Sequence, residues 1–558
     1  MLKENAYENV KIGQRDNKPE LFAGEDVMSL MEVSSFLAEW HSLYQSCHWA
    51  TVFQSPDFVI AWYKLYRHAY KPIIIREQKE GILTGLLTLA LPLQKSNSKL
   101  FIVGAGHYES DYQTWLATDN NGNSFISGAL KALMHEFPNT DLMLRHLPPN
   151  TPIEWAKMEP QWQNSCTLYP LTRPLVVMSD FSVSRRDRKR VSRMNQIGEF
   201  TQITDEAAFN DALDELSIYY DFRQGAMYNK NPFRSDPINR EFLLELFRRK
   251  ILHVTVLKAG DEMVASVAAL ISKNRANLGG INFHSPLFAS YSPGYVHFLM
   301  LSQQFVNDGI SSFDLTPGGD PYKDRLATQH DQVHILVATN SRIYHLKRQL
   351  RKLIYQRLTE KGIRTMSIEL SLKRQLYFIK ERGLTHELVR SVRKLWANDQ
   401  EKVYHDKLNL TKLGNNLSVN KNCLSDLLNY RMQGSVRTRW EFLENAMRSL
   451  ELGAQVYTIS DQGTLLFCAW YNKQVAHASD FQLTAADCQA FYLQDFYVHP
   501  SVVAQIREFL ASVAFLININ TSSAQVYLSI PSQDIQLMKT MNRAGFQITR
   551  ESPPSAHD

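Results

Sequence analysis

The feature that most constrains the fold is a run of three strand-like segments between residues 251 and 283. Residues 251–258 alternate in hydrophobicity, and residues 259–262 read AlaGlyAspGlu, which is typical of a hairpin turn. Residues 263–272 and 277–283 are two further apolar segments of strand length. Short apolar segments separated by turn residues predict an antiparallel meander.

A helix is predicted directly after this meander. SerProGly at 292–294 opens it, its apolar residues recur at helical spacing, and Gly309 ends it. Two more strands, at 311–315 and 333–338, follow on either side of a glycine-rich turn and a short helix. The whole succession is therefore meander, helix, strand, short helix, strand.

The same order of elements occurs in two other parts of the chain, with very little sequence identity between the copies. The N-terminal copy consists of a helix at 58–70, strands at 72–78, 82–93 and 99–106, a helix at 124–137 and a strand at 141–147. The C-terminal copy consists of strands at 454–460, 465–472, 474–483 and 493–498, a helix at 501–516, a strand at 524–530 and a closing helix. We therefore predict an α/β (α+β) fold of tandem units, each a mixed, mostly antiparallel sheet flanked by helices.

This repetition also predicts the domain boundaries. The predicted segments are a flexible N-terminus at 1–20, an N-terminal unit at 21–180, a central unit at 181–341, a basic helix with a helical connector at 342–450, and a C-terminal unit at 451–558. Residues 342–364 form a strongly basic amphipathic helix, and residues 366–450 are predicted to be largely helical. The basic helix is interpreted either as a solvated bridge or as a contact to tRNA or to a membrane surface.

Composition narrows the class of protein. The net charge is +5 over 558 residues, which does not by itself indicate a nucleic-acid partner. The five cysteines are odd in number and include no CxxC pair, so neither a disulfide framework nor a structural zinc site is expected. The polar N-terminus lacks a signal-peptide core, and no segment is long and apolar enough to span a membrane. We expect a cytoplasmic protein without a metal.

A resemblance to a known family becomes specific at residues 283–325. The segment resembles the signature of the CelD/BcsL-type acetyltransferases, which belong to the GCN5-related N-acetyltransferase (GNAT) superfamily and are similar to the Fem aminoacyl transferases. The residues that carry the resemblance are Ser292, Pro293, Gly294, Phe313, Asp314, Gly318, Gly319, Tyr322 and Lys323. SerProAspPhe at 55–58, AspTyr at 111–112 and the arginine-rich run at 182–198 also match the family pattern. The resemblance covers about residues 50–340, and it implies tandem GNAT-like units.

The resemblance implies acyl transfer from acetyl-CoA or another acyl-CoA. Active members hold the pyrophosphate of coenzyme A on a glycine-rich loop at a helix N-terminus. Here the C-terminal unit has SerValValAlaGlnIleArg after residue 500, without the glycines, so it is expected to be a degenerate copy. In the central unit, Ser292, Gly294 and Tyr295 stand at that position and are the predicted cofactor-binding residues.

Acyl transfer to an amine or a hydroxyl needs an oxyanion-stabilising group and a base, but no covalent enzyme intermediate. The predicted catalytic residues are Asp314 and His284, as alternative bases, and Tyr322 as a hydrogen-bond donor. The predicted substrate-binding residues are Lys323, Arg325 and Arg186, which supply positive charge for a phosphate-bearing substrate. Asp314 and His284 each also have a purely structural interpretation, as a turn cap and as a packed rim histidine.

Three functions remain open from the sequence. The first is transfer of an acyl group from acyl-CoA to a small-molecule or saccharide acceptor, such as a sugar or polysaccharide precursor. The second is a Fem-like transferase that uses aminoacyl-tRNA, with tRNA as a partner. The third is a non-catalytic GNAT-like scaffold in a biosynthetic complex. The sequence leaves the acceptor and the oligomeric state undetermined.

Overall fold

A computed structural model describes residues 18–94, 99–318, 320–362, 365–384, 387, 401–414, 416–433, 437–472, 488–519, 521–531 and 534–548. Gly319 of the glycine-rich turn and the strand expected at 474–483 lie outside the described residues. The described residues form two sheets with helices on their faces. The predicted mixed α/β class is therefore confirmed.

The first sheet has thirteen strands and spans both the N-terminal and the central segments. Its strands, in chain order, are β1 (Glu20–Ala23), β2 (Tyr70–Lys79), β3 (Ile82–Pro92), β4 (Phe101–Gly104), β5 (Leu116–Ala117), β6 (Asp141–Leu147), β7 (Cys166–Val177), β8 (Glu199–Ile203), β9 (Leu252–Ala259), β10 (Glu262–Ser272), β11 (Arg275–His284), β12 (Ser312–Asp314) and β13 (Gln329–Ala338). The predicted meander is β9, β10 and β11, which pair antiparallel in that order.

The helices of this part of the chain pack on the sheet or on one another. They are α1 (Glu25–Leu30), α2 (Ser34–Ser46), α3 (Pro56–Tyr66), α4 (Gly122–Glu136), α5 (Trp155–Met158), α6 (Pro160–Gln163), α7 (Arg185–Asn195), α8 (Glu206–Tyr228), α9 (Pro232–Ser235), α10 (Ile238–Arg248), α11 (Pro293–Asn307), α12 (Pro321–Leu326), α13 (Arg342–Glu360) and α14 (Thr365–Arg382). The helix predicted after SerProGly is α11, and the arginine-rich run forms α7. The helix predicted at 342–364 is α13.

At the middle of the first sheet, the spatial order of the strands differs from their order in the chain. The spatial order there is β6, β13, β7, β12, so β13 lies between the consecutive strands β6 and β7. The β13–β7 pairing is antiparallel and runs without a break from Gln329 opposite Leu175 to Ala338 opposite Cys166. The sheet is consequently continuous across the boundary predicted at 180/181, because each half completes the other.

The hydrophobic core is also shared between the two halves. The Phe58 ring of α3 lies edge-on against the Phe242 ring of α10, with centroids 5.5 Å apart, and both side chains are buried. Burying large aromatic side chains contributes about 1.5–3 kcal/mol each relative to exposure. The two halves therefore cannot separate without exposing core side chains.

The second sheet is built by the C-terminal part of the chain. Its strands are β14 (Glu401–Asn409), β15 (Asn420–Lys421), β16 (Gln455–Asp461), β17 (Thr464–Tyr471), β18 (Cys488–Val498), β19 (Ser523–Pro531) and β20 (Gln547–Ile548), and its helices are α15 (Leu410–Leu413), α16 (Leu424–Leu428), α17 (Arg439–Glu451), α18 (Ile506–Leu516) and α19 (Ile535–Arg543). The spatial strand order is β15-β16-β17-β18-β19-β14-β20.

Residues 401–409 differ from the prediction of a largely helical stretch between 366 and 450. They form β14, which pairs antiparallel with β19 from Glu401 opposite Pro531 to Asn409 opposite Ser523. The partner strand lies more than a hundred residues away in sequence. Local pattern could not reveal it, because tertiary pairing overrides weak local preference.

The C-terminal sheet packs on α8 of the central segment. Trp440 of α17 donates its indole N–H to the carbonyl oxygen of Ala226, at 3.0 Å. Phe222 of α8 shares a buried cluster with Leu427 and Leu443. This contact places the end of α17 beside the central unit. Among the described residues, no helix combines the length and hydropathy needed to cross a bilayer.

Candidate functional site

The candidate site begins where two parallel strands separate. β11 and β12 pair only from Arg275 opposite Ser312 to Asn277 opposite Asp314. Beyond that point β11 follows β10 alone, with a bulge where the register passes from Leu278–Ala269 to Asn282–Val267. A bulge leaves backbone groups unpaired and bends the strand away from its neighbour. The separation opens a gap between the end of β11 and the residues after β12.

A pocket of about 280 Å³ occupies this gap. The end of β11, the start of α11 and the helix α12 supply most of its wall. Its lining includes five of the site residues predicted from the sequence, namely His284, Ser292, Gly294, Tyr295 and Tyr322. Val267 and Phe298 make one side apolar, whereas Arg223 and Glu451 bring charge. The structure therefore brings together residues from both ends of the predicted signature.

The N-terminus of α11 points its free backbone groups at this pocket. Ser292 takes the left-handed conformation (φ 54°, ψ 51°) at the N-cap, and Pro293 is the first helical residue. Proline has no N–H, so the N–H groups of Gly294 and Tyr295 are those left without a helical acceptor. The fifteen-residue helix adds a partial positive charge at this end. An anion would be stabilised here.

His284 closes one side of that helix end. The Gly294 Cα lies so near that a Cβ atom would come within 3.0 Å of His284 Nδ1. Burial, together with the Arg223 charge, lowers the pKa of His284 to about 4. The imidazole is thus neutral at physiological pH. It is positioned against the helix end.

Arg223 is a lining residue that the sequence did not single out. Its guanidinium donates to the backbone oxygen of Asn282 at 2.9 Å and to the Asn282 side-chain oxygen at 2.6 Å. These hydrogen bonds satisfy the backbone and side-chain oxygens of Asn282 at the end of β11, where β12 no longer pairs with the strand. Arg223 comes from the last two turns of α8, far from the signature in sequence, and no local pattern marks it.

Tyr295 joins the pocket to one basic and one acidic side chain. The Arg325 guanidinium carbon lies 3.8 Å from the centre of the Tyr295 ring, which is a close cation–π contact. The Tyr295 hydroxyl donates to Asp187 of α7 at 3.4 Å. Arg325 therefore lies next to the helix end, as its predicted anion-binding role requires. Arg186 lies on the exposed face of α7 and does not line the pocket.

Lys323, which follows Tyr322 in α12, is buried. Its ammonium donates to the Thr316 hydroxyl at 3.0 Å and lies 3.6 Å from the Asp320 carboxylate. Burial lowers the pKa of Lys323, and the neighbouring carboxylates of Asp320, Asp111 and Asp314 oppose that effect. Lysine side chains are rarely buried in folded proteins, so a buried lysine held among carboxylates is unusual. The pair of Lys323 with the nearby Asp111 brings together two matched motifs, AspTyr at 111–112 and TyrLys at 322–323.

Asp111 is a partly exposed residue whose carboxyl group is buried, and burial disfavours the charged form of the carboxyl. Burial raises the pKa of Asp111 to about 6, against the opposing charges of Arg145 and Lys323. A carboxyl with a pKa near neutrality, beside a buried lysine, is a pattern that clusters at functional sites. The motif at 111–112 was visible in the sequence, but its proximity to Lys323 was not.

Asp314 is engaged by three donors. Its Oδ2 accepts from Arg173 Nη1 at 2.8 Å and from Asn277 Nδ2 at 3.4 Å, while its Oδ1 accepts from the Thr316 backbone N–H at 2.7 Å. Arg173 also forms a bidentate pair with Asp331. Burial raises the pKa of Asp314, although Arg173 opposes this. These contacts favour a structural role at the β7–β12 junction, and the predicted role as a base stays a prediction.

Tyr322 packs its ring against Phe298, with centroids 5.5 Å apart. Burial raises the pKa of Tyr322, so its hydroxyl stays protonated and available as a donor. Within the described part of the chain, no group of three or more His, Cys, Asp or Glu side chains is arranged to hold a metal ion.

Several solved structures are similar to parts of the chain at low identity. A FemX structure is 9% identical with a TM-score of 0.41 and covers 56% of this chain and 98% of its own. L-PGS from Bacillus licheniformis is 11% identical with a TM-score of 0.39 and covers 57% and 96%. A tandem GNAT protein from the clavulanic acid biosynthesis pathway is 8% identical with a TM-score of 0.36 and covers 57% and 98%.

No curated protein matches the chain in sequence. One family model does match, over residues 182–324, which begin just before α7 and end in α12. This segment contains β11, β12 and α11, and with them most of the pocket lining. The central part of the chain thus carries the match to the family described as "Acetyltransferase (GNAT) domain".

Proposed function

We propose that this protein is an acyltransferase of the CelD/BcsL type that moves an acyl group, such as acetyl, from acyl-CoA to an amine or a hydroxyl of a sugar or polysaccharide precursor. The observation that carries the proposal is the pocket at the end of β11, with the free N–H groups of Gly294 and Tyr295 at its edge. The match of residues 182–324 to a GNAT domain supports the same chemistry.

In this proposal the phosphates of the donor lie at the N-terminus of α11. Two backbone N–H groups and the helix dipole stabilise the negative charge. Arg325 adds a fixed positive charge beside Tyr295. The thioester arm extends along β11, past the apolar side chains of Val267 and Phe298. The bulge in β11 leaves N–H groups that stabilise the oxyanion formed at the thioester carbon.

The transfer step itself requires no covalent enzyme intermediate. The acceptor nitrogen or oxygen attacks the thioester carbon, the C–S bond breaks, and the coenzyme leaves as a thiolate that takes up a proton. The acceptor proton passes to a base. We add Asp111, which lies beside Lys323, to the candidate bases, because its pKa of about 6 is close to the working range. His284, with a pKa of about 4, is a weaker base and serves the donor site.

A second candidate is transfer from aminoacyl-tRNA. The observation that favours it is the row of exposed basic side chains on α7, namely Arg185, Arg186, Arg188 and Lys189, beside the pocket. Such a surface would attract a phosphate backbone, and binding would weaken steeply with salt.

The experiment that separates these candidates is calorimetric titration of the full chain with acetyl-CoA and, separately, with aminoacyl-tRNA. The acyl-CoA proposal expects saturable binding of acetyl-CoA that is weakened in Arg325→Gln and unchanged in Arg240→Gln, a variant at a half-buried arginine of α10 that does not line the pocket. Salt-sensitive binding of aminoacyl-tRNA without binding of acetyl-CoA would favour the second candidate. Binding of neither donor would contradict both.

A further inference from the structure

The outer face of α13 exposes a row of large apolar side chains. The exposed fractions are 73% for Ile343, 70% for Leu346, 59% for Leu350, 56% for Leu353 and 48% for Ile354. The spacing of three and four residues places all five on one side of the helix. We call this row the α13 stripe. An exposed, contiguous apolar patch of this kind marks an interaction site in a soluble fold.

The opposite side of α13 faces the first sheet. The Tyr169 hydroxyl of β7 donates to the backbone oxygen of Arg348 at 2.8 Å, and the Tyr344 ring lies 6.0 Å from the Phe101 ring. The polar and aromatic side of the helix is therefore the side that contacts the protein. The α13 stripe consequently points away from the sheet, which is the reverse of an ordinary surface helix.

Basic residues surround the stripe. α13 contains six lysines and arginines, namely Arg342, Lys347, Arg348, Arg351, Lys352 and Arg357, and one acidic residue, Glu360. At 100° per residue, Arg342 and Lys347 flank the stripe and Arg357 continues it by one turn. All three are exposed. An apolar face bordered by positive charge is the pattern of a helix that lies in the interface of an anionic membrane.

Other occupants fit this face less well. A second copy of the chain would bring two strongly basic helices together, with one acidic residue on each to offset the repulsion. A nucleic acid would bind the basic residues but would leave the five apolar side chains without partners. An anionic bilayer satisfies both features, since its headgroups meet the charges and its acyl boundary receives the stripe.

We propose that α13 docks the protein peripherally on an anionic lipid surface, with the α13 stripe buried at the boundary of the acyl chains. The following helix, α14, also exposes two large apolar side chains, Leu372 and Leu376. This docking is independent of the acyl-transfer proposal, because none of its residues lines the pocket at the end of β11.

The test is co-sedimentation of the full chain with vesicles of phosphatidylcholine and phosphatidylglycerol, compared with vesicles of phosphatidylcholine alone. We expect binding to the anionic vesicles that weakens with salt. Leu346→Ser with Leu350→Ser should lower the partition coefficient at least about tenfold, because each leucine buries apolar surface. Lys347→Gln with Arg357→Gln should lower it about fivefold for each charge removed.

Matched variants elsewhere on the surface control for general effects. Ile82→Ser with Ile535→Ser removes two comparably exposed apolar side chains, and Lys407→Gln with Lys412→Gln removes the same charge. Both should leave binding unchanged, and circular dichroism should show that all variants are folded. Failure of the wild-type chain to bind anionic vesicles, or equal losses in the control variants, would overturn the proposal. So would a dimer in sedimentation analysis that Leu346→Ser with Leu350→Ser dissociates.

Discussion

Gly294 and His284 are packed so closely that the glycine leaves no room for a side chain between them. A Cβ atom at position 294 would lie 3.0 Å from Nδ1 and 3.3 Å from Cγ of the imidazole. The two residues come from different elements, the start of α11 and the end of β11. Their contact defines the width of the pocket at the point where we place the donor phosphates.

Gly294→Ala is therefore expected to weaken donor binding by displacing His284 into the pocket. Contacts this short are relieved by a shift of a few tenths of an ångström, so we expect a rise in the Kd for acetyl-CoA of about fivefold to tenfold, or about 1 kcal/mol. Isothermal titration calorimetry measures it. The double variant Gly294→Ala with His284→Ala should recover most of the loss. If the double variant binds no better than Gly294→Ala, the effect does not arise from this contact.

Arg325 provides a second test of the donor site. Its guanidinium stacks on Tyr295, and such contacts contribute about 0.5–2 kcal/mol. Arg325→Lys keeps the charge but loses the planar stacking, so it should weaken acetyl-CoA binding less than Arg325→Gln does. The Kd values of the two variants decide the question. Equal values would mean that the charge at position 325 does not act on the donor.

Asp314 is expected to matter for stability first. Asp314→Asn leaves the buried Arg173 with one carboxylate partner, and breaking a buried pair costs about 3–5 kcal/mol. Asp331→Asn should cost less, since Asp331 is more exposed. Denaturant unfolding of the two variants measures the difference. A fully stable Asp314→Asn variant that lacks activity would instead support the predicted role of Asp314 as a base.

Asp111 should govern the pH dependence of the reaction. Its pKa of about 6 predicts that kcat/KM falls as the pH drops below about 6, where the carboxyl becomes protonated. Because the folded-state pKa lies above the ordinary value of 3.8, the stability contributed by the protonated form is lost as the pH rises from about 4 to about 6. Asp111→Asn imitates the protonated form. The variant should therefore be inactive at every pH, and its Tm at pH 7 should be higher than that of the wild-type protein.

The contact between the C-terminal sheet and α8 can be tested at Trp440. Trp440→Phe keeps most of the buried ring but removes the hydrogen bond to the Ala226 carbonyl, and a buried acceptor left without a donor costs about 1–3 kcal/mol. Thermal unfolding should show a lower Tm, with the Kd for acetyl-CoA little changed. A large change in that Kd would instead indicate that α17, which brings Glu451 to the pocket, controls the donor site.

Much of the local structure could be predicted from residue patterns. The meander, α11 and the N-terminal and C-terminal helices lie close to their expected bounds, because hydrophobic periodicity and the glycine and proline positions act over a few residues. The same short range explains why Gly294, Tyr295 and His284 could be placed near one site, since ten residues separate them. The strand β14 was missed because its pairing partner is distant in sequence.

The order of the elements and the helix end that forms the edge of the pocket follow from residue patterns alone, because both depend on local backbone preferences. Tertiary structure alone decided that β13 inserts between β6 and β7, that Arg223 and Glu451 reach the pocket, and that Asp111 lies beside Lys323. It also decided that the apolar side of the basic helix faces outward. These features depend on contacts between residues far apart in the chain. Such contacts stabilise the protein only after the sheet has formed.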